Sequence, residues 1–343
     1  PANPTLDLID IAAVVKADAY GLGVAQVARR LWAEGARRFF VARLAEGEDL
    51  RAALTPKRPA VIYVLDGLTE GAGPRLAAAD LTAVLCTLPQ VHAAAAWTRE
   101  GGASLSVGLH VDTGMNRQGL TLEEARALHK APESRGRLSL DLVMSHLGSA
   151  SDPKNPRNAS QLAKFSEVRR WFPDALASLA ASAGVFLGPD YRFDMVRPGV
   201  SLFGGGPLEV PHPDILAVAT LTAPIVDIRD LRSGDILGYG DGVRIDAPTR
   251  VAVVAAGYAD GILRSAKSGG YAWFAGARRK LLAVNMDLLV LELGDAPARI
   301  GEAVELLGPG ALLDDQARAA GTVAHEVLVR LSRRAQRVHL GAA

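Results

Sequence analysis

The stretch AVVKADAYGLG, at 13–23, sets a lysine directly behind an apolar run, IAAVV at 11–15. Taking an ammonium out of water is expensive unless something uses it. On its own residues Lys16 therefore has two readings. It snorkels from a strand end into solvent, as most lysines do. Or it is a Schiff-base nucleophile whose pKa desolvation pulls below the ordinary ~10.4. The second reading needs a strand whose carboxyl end opens on an active site, which is where parallel barrels keep their chemistry. Other chemistries are poorly provided for. The sole cysteine, Cys86, forms no internal disulfide and no CxxC metal site, and it fits a reducing cytoplasm.

The elements around Lys16 suit such a barrel. Apolar runs return at 39–42, 60–65, 82–86, 105–111, 140–144 and 178–182. Helical patterns lie between them. Val24, Val27, Ala28, Leu31 and Trp32 share one helix face, and Leu162, Phe165, Val168 and Phe172 another. Thr121 and Glu124 form a capping box at the head of a helix over 121–131. Fully apolar strands alternating with helices mean a parallel sheet covered on its outside. Seven or eight such units in about 200 residues fit a closed (β/α)8 barrel. Past GGGP and PHPD the rhythm changes to strands at 225–228, 250–257, 271–276, 280–284, 288–293 and 303–308, with helices at 314–319 and 322–331. The fold class expected is α/β plus β. A TIM-like barrel over 1–212 precedes a mainly antiparallel β domain over 213–343.

Composition narrows the function. Lys plus Arg is 38 and Asp plus Glu 37, a net charge of +1, which argues against nucleic acid or an anionic membrane as the main partner. No apolar run reaches the length of a transmembrane helix, and PANPTLDLID carries no signal-peptide pattern, so a cytoplasmic protein is expected.

The whole stretch at 13–23 resembles the pyridoxal-phosphate lysine motif of bacterial alanine racemases. The resemblance continues in order through HVDTGMNRQG at 110–119, SHLGSASD at 145–152, SLAASAG at 178–184, FDMVRPGVSLFG at 193–204, AAGYADG at 255–261 and VNMD at 284–287. It implies pyridoxal 5'-phosphate as cofactor, L- and D-alanine as substrates, D-alanine for peptidoglycan as the product, no metal, and a head-to-tail homodimer with shared active sites. Lys16 would hold the cofactor and serve as one base. Tyr258, entering from the partner subunit, would be the other. Racemisation needs two such groups on opposite faces of the α-carbon. Arg197 would face the pyridine nitrogen and leave it unprotonated, because an arginine gives up no proton. His146 would contact both Arg197 and the partner's tyrosine. Tyr20, Ser182, Gly199 and Val200 would hold the phosphate. Arg117 would bind the cofactor's phenolic oxygen and steer the substrate carboxylate. Met286 would meet that carboxylate from the partner subunit, and Asp287 would support the site.

The chain also departs from the family pattern. His110 stands where the family often carries a carbamylated lysine that braces the arginine at Arg117. Ala181 replaces an asparagine, Leu282 and Ala283 replace a Gly-Arg pair at the entrance, and Arg333 falls where many members place a second phosphate-contacting tyrosine. The head is short: TLDL joins almost directly to the lysine strand, without the helix that family members place between. Either that helix lies outside this chain or it is deleted, and a true deletion would expose apolar surface on the barrel wall. The altered entrance leaves a broad-specificity amino-acid racemase as an alternative. HLGS and GGG superficially resemble the fold-related basic amino-acid decarboxylases, but those need a cysteine in the second domain. A non-catalytic pyridoxal-phosphate barrel would lack the second domain with GYADG and NMD.

Overall fold

The computed structural model describes residues 9–54, 57–100, 104–240 and 242–341. The expected TLDL strand lies outside them. The chain forms two compact units, divided between Gly199 and Val200, the first also taking in the tail from Leu340. This division falls ahead of the 212/213 boundary expected from the linker pattern. The segment after Val200 bonds within the second unit: Gly205 N–H donates to Val200 O (3.0 Å), and Gly206 N–H to Asp314 Oδ2 (2.8 Å).

The first unit contains eight strands: β1 Asp10–Val14, β2 Arg38–Val41, β3 Val61–Val64, β4 Thr82–Leu85, β5 Ser106–His110, β6 Ser139–Met144, β7 Leu176–Ser178 and β8 Met195–Val196. They run parallel in the order 7-6-5-4-3-2-1-8. A bridge between Ala181 and Arg197 joins the two edges just beyond β7 and β8, so the sheet closes as a barrel. The run at 178–182 pairs earlier than expected. Past Ser178 the backbone leaves the ladder, Ala180 O accepts from Arg197 N–H (2.9 Å), and Ser182 opens a 3-10 turn over Ala183–Leu187. Ala12, Phe40, Tyr63, Val84, Leu142, Met144 and Met195 fill the interior.

A polar cluster lies at the amino ends of the strands. The Tyr63 hydroxyl donates to Asp141 Oδ2 (2.5 Å) and accepts from Arg38 Nη1 (2.7 Å), while Arg38 Nε donates to Asp10 Oδ2 (2.8 Å). That floor leaves the carboxyl ends for chemistry. Three of the helices that cover the sheet begin on side-chain caps: Thr87 accepts from Gln90 N–H, Thr121 and Glu124 form the reciprocal box, and Asn155 opens helix Pro156–Trp171.

The second unit is a closed antiparallel barrel of β9 Leu221–Leu231, β12 Thr249–Val254, β13 Tyr271–Phe274, β14 Ala277–Val284, β15 Leu289–Glu292 and β16 Ala303–Leu307. A small ladder of β10 Ile236–Leu237 and β11 Val243–Arg244 stands apart from it. Its core holds Ile225, Val254, Leu281, Leu289, Leu291 and Val304. Ala283, from the altered entrance pair, is buried on β14 beside a β-bulge. Helices Leu313–Ala319 and Ala324–Arg330 complete the unit.

Candidate active site

Lys16 follows β1, and the four residues after it, Ala17 to Tyr20, all have φ between 53° and 56°. This is a left-handed helical turn without glycine, roughly 1–2 kcal/mol per residue against chirality. Strain of this kind persists only where the surroundings over-determine it. Here they do. Ala17 N–H donates to Glu46 Oε1 (2.8 Å), Val24 N–H to Asp18 Oδ1 (2.8 Å) and Gly21 N–H to Ala17 O (2.7 Å). Glu46 also accepts from the amides of Ala42 and Arg43. The turn brings Tyr20 back inside, 5% exposed, where burial pushes its phenol up to about 12.

Arg197 follows β8, the strand beside β1, and Val14 N–H donates to Pro198 O (2.9 Å) between the two segments. The guanidinium is 3% exposed. Nη1 donates to Ser178 Oγ (2.5 Å), Nη2 to Ser145 O (2.6 Å) and Leu179 O (3.4 Å), and the Phe40 ring lies 5.9 Å from Cζ. No carboxylate pairs with it among the described residues. Burial lowers its pKa to about 9, so it remains a cation at neutral pH. The contact expected from His146 to Arg197 is electrostatic in this structure, since the guanidinium's hydrogen bonds go to Ser178, Ser145 and Leu179.

The positive charge acts on its neighbours. Burial lowers the Lys16 amine, Arg117 adds to that, and Glu46 opposes it. His146, after β6, falls to about 3 through burial and the charges of Arg197 and Arg117. His110, ending β5, falls to about 4 for the same reasons, with Cys86 Sγ 4.0 Å from its Nδ1. Both imidazoles are therefore neutral at pH 7. Arg117 stands exposed on a loop over 112–119, and Asp112 organises that loop by accepting from the amides of Gly114, Met115 and Asn116.

A pH dependence follows from the two histidines. Their folded pKa values lie below the unfolded ~6.5, so the unfolded chain binds more protons as pH falls from about 6.5 to about 4 for His110 and to about 3 for His146. Stability present above pH 6.5 is lost across that window, by up to about 1.4 kcal/mol per pH unit for each proton. Urea unfolding at pH 7, 6 and 5 should show a shallower decline in a His110→Gln variant than in wild type. Equal slopes would mean that His110 is not held neutral by the fold.

The anion-binding candidates also converge. Ser182 Oγ accepts from Gly199 N–H (2.9 Å), and a Cβ on Gly199 would lie 2.3 Å from the Tyr20 hydroxyl. The glycine thus admits the tyrosine oxygen to a corner that already holds Ser182. Val200 follows in the chain and begins the 3-10 helix Val200–Phe203 of the second unit.

In the second unit GYADG lies directly on NMD. Tyr258 N–H donates to Asn285 O (2.9 Å) and Ala259 N–H to Met286 O (2.9 Å). A Cβ on Gly257 would come within 2.3 Å of Asn285 O, so only glycine allows the approach. Arg334 joins the two segments, pairing with Asp287 Oδ1 (2.7 Å) and Asp260 Oδ1 (3.4 Å). Tyr258, Met286 and Leu288 are all well exposed on this surface.

The alanine racemase N-terminal domain model matches residues 7–207, and the alanine racemase C-terminal domain model matches residues 218–339. The chain belongs to the alanine racemase family. Family membership carries the activity, an isomerisation of alanine. An alanine racemase of Rhizobium meliloti is 42% identical, with 97% of this chain and 90% of that protein covered. A catabolic alanine racemase of Agrobacterium fabrum is 39% identical over 96% of this chain and 85% of its own length. The crystal structure of the Bartonella henselae alanine racemase, with covalently bound pyridoxal phosphate, superposes with a TM-score of 0.89 at 31% identity, covering 96% and 92% of the two chains.

Several residues around the candidate site gave no signal in the sequence. Glu46 lies in the first turn of helix Leu44–Leu54, where an acidic residue is ordinary, and Ser178 Oγ meets Arg197 only because β7 and β8 close the barrel. Arg334 was hidden in the run RRAQR. A basic residue four positions past the helix Ala324–Arg330 has no pattern of its own.

Proposed function

We propose that the protein interconverts L- and D-alanine with pyridoxal phosphate held on Lys16, acting in the cytoplasm as a homodimer with shared sites and supplying D-alanine for peptidoglycan. One observation carries the cofactor assignment. The lowered Lys16 amine and the buried, carboxylate-free Arg197 cation lie at the same ends of two paired strands. A buried guanidinium without a counter-ion fits an uncharged ring nitrogen as its acceptor. Tyr20, Ser182 and the Gly199 amide offer a tight corner for a phosphate, with the Tyr20 phenol protonated and able to donate.

Pyridoxal phosphate, when bound, makes the α-proton of alanine acidic enough to remove. The chain supplies the rest. Lys16, its amine lowered by burial and by Arg117, takes or returns a proton at the α-carbon on one face. Tyr258 of the partner does so on the other. Arg197 donates only, so a pyridine nitrogen held against it would gain no proton and the cofactor would act as a weak electron sink, which would disfavour side reactions. Neutral His146 adds no further cation beside Lys16 and Arg197. Arg117 and the Met286 amide hold the substrate carboxylate, Asp287 supports that segment, and His110 lies beneath the Arg117 loop. The dimer reading is supported by Tyr258, Met286 and Leu288, an exposed aromatic and apolar group on the second unit's GYADG and NMD segments.

A chiral assay of the purified protein with L-alanine, L-serine and L-lysine, with and without added pyridoxal phosphate, tests this. The expected result is cofactor-dependent racemisation, with L-alanine converted to D-alanine faster than L-serine or L-lysine is converted to its own D-form. No D-alanine from cofactor-loaded protein would reject the reading.

A further inference from the structure

Helix Pro156–Trp171 carries two side chains that hold the active-site loops from outside. Arg157 donates from Nε (3.0 Å) and Nη2 (2.6 Å) to Gly114 O, and from Nη2 to Met115 O (3.3 Å). One turn on, Gln161 bonds to both loops. Its Nε2 donates to His146 O (2.9 Å) and Thr113 Oγ1 (3.3 Å), and its Oε1 accepts from Gly148 N–H (2.8 Å). The 112–119 loop is pinned at its base by Leu120, whose backbone exchanges hydrogen bonds with His110 O and Asp112 N–H. Its far side, where the chain reaches Arg117, is held by Arg157.

We propose that Arg157 is a positioning residue that aims Arg117 at the substrate carboxylate by fixing the carbonyls of Gly114 and Met115. The guanidinium's planar fork suits this task, because one side chain reaches two successive carbonyls at once. Its place depends on Gly148. A Cβ there would lie 2.6 Å from Arg157 Cζ and 2.8 Å from both Nη atoms. Gly148 has no positive φ, so an alanine there strains no backbone and displaces the far end of a flexible side chain. Gly148→Ala therefore removes the clamp while leaving Arg157 in the protein.

The inference rests on the reading of Arg117 as the carboxylate-binding arginine, so the test includes Arg117→Ala. Steady-state kinetics with alanine, inhibition by propionate and amide hydrogen exchange are measured on cofactor-loaded wild type, Arg157→Ala, Gly148→Ala and the double variant. Arg157→Ala should raise KM and the propionate Ki together by about tenfold, keep kcat within about threefold, and speed exchange of the 114–119 amides. Gly148→Ala should do the same, and the double variant should be no worse than Arg157→Ala alone. A Ki within twofold of wild type in Arg157→Ala, or additive losses in the double variant, would overturn the proposal. If Arg117→Ala itself leaves the propionate Ki unchanged, the reading of Arg117 falls and takes this proposal with it. If Arg117→Ala weakens propionate and Arg157→Ala does not, only the positioning role falls.

Discussion

A Lys16→Ala variant is expected to racemise alanine slower by on the order of 10⁴-fold or more, because under the proposed roles it loses both the covalent anchor and one of two bases. At 1.36 kcal/mol per tenfold, that is more than about 5 kcal/mol of transition-state stabilisation. The fold should survive. The strained turn over Ala17 to Tyr20 is held by Glu46, Asp18 and backbone bonds, none of which uses the lysine amine. The amine is instead a burden on the apoprotein, since burial and the Arg117 charge both disfavour its ammonium form. Removing a partly buried charge that burial and Arg117 disfavour more than Glu46 favours is neutral or stabilising. Thermal melting of the apoproteins should therefore show Lys16→Ala equal to or above wild type. A variant that loses activity only because it unfolds would contradict this, and so would one that keeps more than a hundredth of the wild-type rate.

Mixing two inactive variants should restore activity. Lys16 belongs to the first unit and Tyr258 to the second, and the shared-site proposal draws each pair from different subunits. Lys16→Ala and Tyr258→Ala homodimers then each lack one base at both sites. A mixed dimer carries both lesions in one site and none in the other. With random exchange half the dimers are mixed, each with one intact site of two, so recovery should approach about a quarter of wild type. Subunit exchange is followed by mass spectrometry. Exchange without recovery at any mixing ratio would place both bases in one chain and overturn the shared site, while leaving Lys16 as the cofactor lysine.

The architecture was legible because it is written in periodicity. Unbroken apolar runs such as VIYV and TAVL are buried on both faces of a parallel sheet, and the Thr121–Glu124 box marks a helix start by a local bond pattern. What failed was local. The run SLAAS reads as a strand, yet only Ser178 of it lies in β7, because the remainder turns to meet Arg197 and to open the Ser182 corner. β8 is two residues long, too short for any periodicity to register. The candidate site divides in the same way. Lys16 stood out because a charge follows an apolar run. Tyr258, Arg197 and His146 drew attention through the family resemblance alone. Glu46, Arg157, Gln161 and Arg334 became visible only with the fold, since their partners are backbone groups or charges distant in sequence.

Lys16 is one of seven lysines in the sequence. Borohydride reduction of the cofactor-loaded protein, followed by proteolysis and mass spectrometry, fixes the cofactor to whichever lysine carries it. The account predicts a pyridoxyl mass on Lys16, in the peptide containing AVVKADAY, with the other six lysines unlabelled. A pyridoxyl group on any other lysine, with Lys16 unmodified, would contradict it.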